Sequence, residues 1–222
     1  MVVDTQHDVV IGASFADKLE FVHVVLKGGR RTIVVVDGHT CGWDSGVGQI
    51  ARPVLAAAVG AVQSDLPPSA AMEAARVAFE EAAAPYPDDD LAGDPAAQLT
   101  LVQIEDGLLD CLRLGSIALF TRVRRAVRVD GTAHAFQVMK RGRQDAVSSR
   151  ARMARGDLVV VARPWIGFYL EPDPMEALVQ AHDEPDALVH AALERYRRDV
   201  EDAVRARRLI GERPYWLAAT RV

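Results

Sequence analysis

The segment from Thr32 to Ala58 constrains the fold of this chain more than any other part of the sequence. It opens with a run of β-branched residues, which predicts a buried strand. The pair Asp37-Gly38 then predicts that the strand breaks, and a glycine-rich loop leads into an alanine-rich helix. A strand, a turn, a glycine loop and a helix in this order present a carboxylate beside exposed backbone amides.

The rest of the sequence groups its strands apart from its helices. Strands are predicted over residues 8–15, 19–26, 31–36, 99–104, 108–114, 117–123, 127–129, 158–162 and 215–220. Helices are predicted from the glycine loop to about Gln63, from a cap at Ser69 to about Ala84, from Pro174, and over 186–208. Grouped strands and grouped helices indicate an α+β fold, in which antiparallel sheets carry helices on their outer faces.

Three local features carry expectations of their own. Pro53 fits best in the first turn of the first helix. Residues 140–155 are basic and poor in strand formers, so they are interpreted as a solvated loop or short helix, the alternative being a flap over an anionic ligand. The apolar side of the last helix is expected to bury Leu188, Leu193, Val200 and Val204.

Composition and short motifs narrow the class of protein. A net charge of −5 argues against a nucleic-acid partner. The two cysteines, Cys41 and Cys111, make no disulfide framework, and the glycines after the first buried strand do not form a dinucleotide-binding motif. Without a signal peptide or an apolar run of about 18 residues, we expect a cytoplasmic protein with no membrane partner.

Five landmarks, in order along nearly the whole chain, resemble one known family. They are the segments 34–39 (VVVDGH), 99–102 (LTLV), 114–120 (LGSIALF), 156–161 (GDLVVV) and 217–222. In this pattern the chain resembles the bacterial type-2C metal-dependent protein phosphatases, the PPM family. The resemblance implies a single domain over residues 1–222. It also implies a four-layer α-β-β-α sandwich, with two antiparallel sheets packed face to face and helices outside.

The resemblance implies a site for two divalent ions, usually Mn²⁺ or Mg²⁺, which activate a bridging water. Asp37 takes the position of the bridging carboxylate, and Gly38 that of a carbonyl ligand. Other carboxylate positions of the family differ here. Its Ser-Asp-Gly segment reads Arg163-Pro164-Trp165, and the aspartate of its Gly-Asp-Ser-Arg segment is Ser116.

Three further carboxylates stay open as partners of Asp37. Asp17 and Glu20 lie near the family's early acidic segment, and Glu212 lies near its closing Asp-Asn. His39 and Cys41, close to Asp37 and Asp44 in the sequence, suggest a soft-metal site or a thiol nucleophile. A turn with incidental polar residues is the simpler interpretation, because no second pair of ligands or orienting group follows at a fitting spacing.

The sequence therefore predicts a degenerate type-2C phosphatase, a non-catalytic binding or regulatory pseudophosphatase without a cofactor. Its partner would be a protein, a phosphoprotein or a small molecule. The predicted ligand-binding residues are Arg163, Trp165, His39 and Asp44. One alternative is a divergent serine/threonine phosphatase that uses Mn²⁺ or Mg²⁺, with Asp37 and Gly38 as ligands. Another is a phosphatase fold taken over for small-molecule chemistry.

Overall fold

A computed structural model gives the architecture of the chain. It describes residues 1–14, 21–39, 47–86, 95–115, 117–130, 139, 142, 145–163, 174–206 and 215–222. In chain order, the elements are β1 (Val2–Gln6), β2 (Val9–Ala13), β3 (Val22–Lys27), β4 (Arg30–His39), α1 (Val47–Gln63), α2 (Pro68–Ala83), β5 (Ala96–Glu105), β6 (Leu108–Leu114), β7 (Ala118–Val123), β8 (Ala126–Asp130), β9 (Val147–Arg152), β10 (Leu158–Ala162), α3 (Met175–Ala181), α4 (Pro185–Arg205) and β11 (Trp216–Arg221).

These elements form two compact units. The first unit comprises Met1–Glu20, Ala118–Ala133 and Met153–Val222, and the second comprises Phe21–Ile117 and His134–Arg152. Each unit holds one sheet, and all strand pairs in both sheets are antiparallel. The predicted α+β class with two antiparallel sheets flanked by helices is thereby confirmed. That residues 1–222 make a single domain stays a prediction.

The second unit is a five-stranded sheet in the order β3-β4-β5-β6-β9, with α1 and α2 on one face. Strands β3 and β4 join through Gly28 and Gly29, whose φ angles of 58° and 83° suit a two-residue hairpin loop. Buried side chains recur every three or four residues on both helices and pack on alternate residues of β4 and β5. On β4 the residues that face the helices are Val34 and Val36.

The first unit is a six-stranded sheet in the order β1-β2-β11-β10-β7-β8, with α3 and α4 on one face. Strand β10 lies between two neighbours and is buried along its whole length, as its uninterrupted apolar run predicts. Helix α4 approaches β2 very closely at Gly12. A Cβ atom built there would lie 2.5 Å from Cγ1 of Val189, so this crossing requires glycine. No helix in the described part of the chain is long and apolar enough to cross a membrane.

Two predictions about α1 and its entry are wrong. The predicted break at Asp37-Gly38 does not occur, because the backbone of Ala96 to Gln98 in β5 pairs with β4 as far as His39. Pro53 lies inside α1, which begins at Val47, and not in its first turn. An interior proline costs a helix roughly 3 kcal/mol, and burial of α1 against the sheet offsets that cost here.

Three other predictions are corrected by the tertiary contacts. Ser69 does not cap α2, because Pro67 holds the cap position and Pro68 opens the helix. The basic stretch 140–155 contains the edge strand β9, whose backbone pairs with β6. A strand at a sheet edge tolerates charged side chains, so the low strand propensity of this stretch wrongly predicted a loop or short helix. Val204 is 44% exposed, because α4 continues past Val200, its last buried residue.

Candidate functional site

Asp37 stands on the face of the second unit's sheet that points away from α1 and α2. Side chains alternate along β4, and Val34 and Val36 face the helices, so Ile33, Val35 and Asp37 occupy the other face. Ile33 and Val35 are fully buried, whereas Asp37 is half-buried. The strand therefore delivers one carboxylate at the end of an otherwise apolar row.

Polar residues from β5 and β6 surround Asp37 on this face. Gln98 lies directly opposite Asp37 on β5. Thr100 lies two residues further along β5, on the same face as Gln98 and directly opposite Arg113 on β6. Residues opposite each other in an antiparallel pair share a face, with their Cβ atoms about 4.5–5.5 Å apart. This group of four, Asp37, Gln98, Thr100 and Arg113, is called the polar face below.

Two members of the polar face are deeply buried. Thr100 is 1% exposed and Arg113 is 7% exposed. The hydroxyl of Thr100 finds no hydrogen-bond partner among the residues that the structure describes. A buried polar group without a partner costs stability, and sites that carry this cost are often functional.

The carbonyl of Gly38 points away from β5. Opposite Gly38 on β5 lies Ala97, whose N–H donates to the Met139 carbonyl and whose carbonyl accepts from the Met139 N–H, at 3.0 and 2.7 Å. Because both backbone groups of a strand residue point to the same side, Ala97 bonds Met139 and not Gly38. This orientation is compatible with the predicted role of Gly38 as a carbonyl ligand, which stays a prediction.

The donor set of the polar face does not fit two divalent ions. Such a site needs several carboxylates to offset the charge of the metals. The polar face offers one carboxylate, one amide, one hydroxyl and a buried guanidinium. Within the described ranges, no three histidine, cysteine, aspartate or glutamate side chains come together in a way that could hold a metal.

Arg163 belongs to the first unit and directly follows β10. Its N–H donates to the carbonyl of Trp216 at 3.1 Å, which extends the pairing of β10 with β11 by one residue. Ala162 and Leu217 face the helices, so Arg163 and Trp216 occupy the opposite face. Arg163 is half-buried and Trp216 is 1% exposed, so a cationic residue and a buried aromatic residue are cross-strand neighbours on one face.

The predicted site residues have different outcomes. The structure places Asp37 and Gly38 at the end of β4 and Arg163 at the end of β10; the side chain of His39 is outside the described part. Residues that fall wholly outside the described ranges are Trp165, Asp44, Cys41, Asp17, Glu20, Glu212 and Ser116. Their roles remain predictions.

Sequence reasoning missed the neighbours of Asp37 and Arg163. Gln98 and Arg113 look like ordinary polar positions in strands, and Trp216 looks like the start of a closing strand. Only strand register brings them to the two sites, and register depends on backbone pairing between segments far apart in the sequence. The available signal in the sequence was that Thr100 and Arg113 are polar residues within predicted strands that are otherwise mostly apolar.

Comparison with known proteins settles the fold. No protein-family profile and no curated protein sequence matches the chain. Solved structures do match it over almost its full length. One of them is the catalytic domain of the serine/threonine protein phosphatase PstP in complex with two manganese ions, which is 11% identical to this chain with a TM-score of 0.66. The match spans 96% of this chain and 98% of that domain.

Two other solved structures have the same fold. RsbX in complex with magnesium is 10% identical to this chain with a TM-score of 0.64, and the match spans 100% of this chain and 99% of RsbX. PppA, a regulatory component of the type VI secretion system in Pseudomonas aeruginosa, is 11% identical with a TM-score of 0.59, and 96% of this chain covers 98% of that one. The chain has the type-2C phosphatase fold. At these identities, the phosphatase fold is what is shared, and the metal ions belong to the relatives.

Proposed function

We propose that this chain is a non-catalytic protein with the type-2C phosphatase fold, which acts by binding a protein or phosphoprotein partner in regulation. One observation carries the proposal: the residue opposite Asp37 is Gln98, and among the described residues the polar face adds a cation, Arg113, and no second carboxylate. A metal-dependent phosphatase needs the opposite balance of charge at this place.

The sequence after β10 supports the same conclusion. Where the resemblance expects a metal-binding aspartate, the chain has Pro164, which carries no side-chain oxygen, between Arg163 and Trp165. An arginine raises the positive potential at this strand end, which disfavours a divalent cation and favours an anion such as a phosphorylated side chain. The relative PppA is described as a regulatory component, which is consistent with a regulatory role for the fold.

The deciding experiment is hydrolysis of p-nitrophenyl phosphate with Mn²⁺ or Mg²⁺. The expected rate for the wild type equals that of Asp37→Asn, because no metal-activated water contributes in either protein. Asp106→Asn serves as a matched control. Asp106 lies in the β5–β6 turn with a φ of 48°, which asparagine also adopts, so this variant removes a carboxylate from the same sheet without strain.

Metal-dependent turnover in the wild type and in Asp106→Asn that disappears in Asp37→Asn would overturn the proposal. That outcome would establish the alternative, a divergent metal-dependent serine/threonine phosphatase with Asp37 and Gly38 as ligands. The remaining carboxylates would then have to come from Asp17, Asp44 or Glu212.

A second candidate function, small-molecule binding, is favoured by the cross-strand placement of Arg163 opposite Trp216. An arginine on the same face as an aromatic residue suits an aromatic carboxylate better than it suits a phosphate alone. Calorimetry with benzoate and with a phosphoserine peptide, in the wild type and in Arg163→Ala, separates the candidates. Arg163-dependent binding of benzoate favours small-molecule chemistry, whereas binding of a phosphoserine peptide but not of benzoate favours the regulatory role.

A further inference from the structure

We propose that the β7–β8 hairpin of the first unit binds an acidic, extended segment of a partner protein, which pairs with the outer side of β8. The carboxylates of that segment would meet four exposed arginines, Arg124, Arg125, Arg128 and Arg155, which are called the arginine cluster below. The inference goes beyond the proposed function, because this surface does not include Asp37 and needs no phosphate on the partner.

Two neighbouring turns carry three members of the arginine cluster. Arg124 and Arg125 form the two-residue loop of the β7–β8 hairpin. Arg155 lies in the turn before β10, which closes through a hydrogen bond from the Asp157 N–H to the Ala154 carbonyl at 3.0 Å. Since β7 and β10 are paired strands, about 4.8 Å apart, both turns lie at the same end of the sheet.

A buried carboxylate fixes the two turns to each other. Asp157 is 7% exposed, and its Oδ2 accepts a hydrogen bond from the N–H of Ala154 at 2.7 Å. Its Oδ1 accepts from the N–H of Arg124 at 3.4 Å. The turns that carry the arginines are therefore held together before any partner binds, which lowers the entropy cost of binding.

The arginine cluster has no acidic partner in the part of the chain that the structure describes. No ion pair joins any of its four side chains to a carboxylate there, whereas Arg122 and Arg221 of the same unit pair with Asp183 and Glu184. The cluster thus gives a local positive potential to a chain whose net charge is −5. Such a potential attracts carboxylates, which a guanidinium can bind through two parallel hydrogen bonds.

The backbone of the β7–β8 loop shows that arginines are unfavourable for stability at this place. Arg124 and Arg125 have φ angles of 48° and 75°, the left-handed conformation that a two-residue hairpin loop requires at both positions. Asn-Gly or Asp-Gly suits such a loop, and the β5–β6 loop, Asp106-Gly107, follows that preference. Strained backbone that the rest of the fold must offset is typical of functional positions.

The outer side of β8 offers a place for an extended segment. β8 is the last strand of its sheet, and no described strand pairs with its outer side. Helix α3 packs on the face that carries Val127 and Val129, so Arg128 lies on the opposite face. Every second residue of an edge strand directs its N–H and C=O outward, and a peptide that adds a strand bonds to them.

The open edge and the strained loop together favour a peptide as the partner. Charged side chains also protect edge strands from aggregation, which accounts for Arg128 but not for the strained pair Arg124-Arg125. A nucleic acid lacks the N–H and C=O groups that pair with a strand, and the negative net charge of the chain repels it. An acidic peptide uses both features of this surface.

The test is fluorescence anisotropy with a short labelled peptide of alternating glutamate and threonine, at low ionic strength. The variant R124N/R125G should bind it roughly tenfold more weakly than the wild type, because two charged contacts are lost. The control R152Q/R198Q removes the same charge at two other exposed arginines and should change the affinity by less than about twofold. Binding to the wild type should disappear in about 1 M NaCl, where the Debye length is about 3 Å.

Thermal unfolding of the same variants separates a binding role from a structural one. R124N/R125G should raise the melting temperature by roughly 2–4 °C, because Asn-Gly fits the loop without strain. A more stable variant that binds the peptide less well is the result expected for arginines that serve binding. A lowered melting temperature, or an affinity equal to that of the wild type, would overturn the inference.

Two further outcomes decide the kind of partner. Amide hydrogen exchange in β8 should slow when the peptide is added, because strand addition protects the outward N–H groups; unchanged exchange would contradict pairing with β8. Binding of single-stranded oligo(dT) as tight as that of the peptide would identify a nucleic acid as the partner and refute the inference. Metal-dependent turnover through Asp37 would overturn the non-catalytic role alone, since the arginine cluster does not depend on it.

Discussion

The two units treat their buried polar groups differently. In the first unit, Arg122 is 8% exposed and donates to the carbonyls of Val179 and His182 and to the carboxylate of Asp183. Thr220, fully buried, donates to the Asp8 carbonyl at 2.9 Å. These groups tie strands to helices and loops, so their role is structural.

Among the described residues of the second unit, two of the three buried polar side chains, those of Thr100 and Arg113, lie on one face beside a carboxylate, whereas Thr32 lies on the helix-facing side of β4. Thr100 and Arg113 stand in the row next to Asp37 and Gln98, and the Thr100 hydroxyl lacks a partner within the part of the chain described. Local departures from polar satisfaction are expected at functional sites, because the rest of the fold compensates for them. The comparison therefore points to the second unit's polar face, and not to the buried polar groups of the first unit, as the place to look for function.

The largest effect is expected for Arg122→Met. The change keeps the length of the side chain but leaves the carbonyls of Val179 and His182 without their donor, which should cost about 2–4 kcal/mol of unfolding free energy. Urea denaturation at a constant m value measures it. The control is Asp183→Asn; its side chain is 82% exposed, so the ion pair should contribute about 0.5 kcal/mol or less. Equal losses in the two variants would contradict a structural role for the carbonyl bonds.

A matched pair of threonines sharpens the comparison directly. Thr220→Val should lose about 1 kcal/mol, because it removes a donor from the Asp8 carbonyl. Thr100→Val should be neutral or stabilising by up to about 1 kcal/mol, because it removes a hydroxyl that has no partner in the described residues. Both threonines are buried in sheets, so the volume change is the same. A loss in Thr100→Val as large as that in Thr220→Val would end the distinction between the units.

The smallest effect concerns the surface of α4. The hydrogen bond from Arg197 lowers the pKa of Glu194 below its usual value of 4.5. A lowered pKa means that this contribution to stability is complete above the usual value and disappears as the pH falls through the folded-state pKa. NMR titration of the Glu194 carboxyl carbon should therefore show a midpoint below 4.5 that returns toward it in Arg197→Gln. A normal midpoint in the wild type would show that the pair does not form in solution.

Local sequence signals were enough for most of the fold. The continuous apolar run of β10 and the Gly28-Gly29 hairpin are readable because each depends on neighbouring residues alone. The first strand, Val2–Gln6, escaped prediction because it is a polar edge strand with no apolar alternation. Strand β9 escaped for the same reason, since its arginines gave no strand signal.

The candidate site was only half readable. Asp37 could be found because a carboxylate and a glycine after a buried strand form a local pattern. Gln98 could not, because its place opposite Asp37 depends on the register of β4 against β5. The same holds for Trp216, which reaches Arg163 only through the pairing of β10 with β11. The sequence thus identified Asp37 and Arg163 but not their cross-strand neighbours, Gln98 and Trp216.

The position of β11 has a consequence for how the chain is made. This strand, formed by Trp216–Arg221, lies between β2 and β10, so it joins two groups of strands that do not otherwise touch in the sheet. During translation every other described strand of both units leaves the ribosome before it. The second unit can complete its sheet at that stage. The sheet of the first unit is still divided into two groups of strands, and their unpaired edges can bind other chains. A nascent chain of this protein is therefore most exposed to aggregation just before residue 216 emerges, when a chaperone would help most.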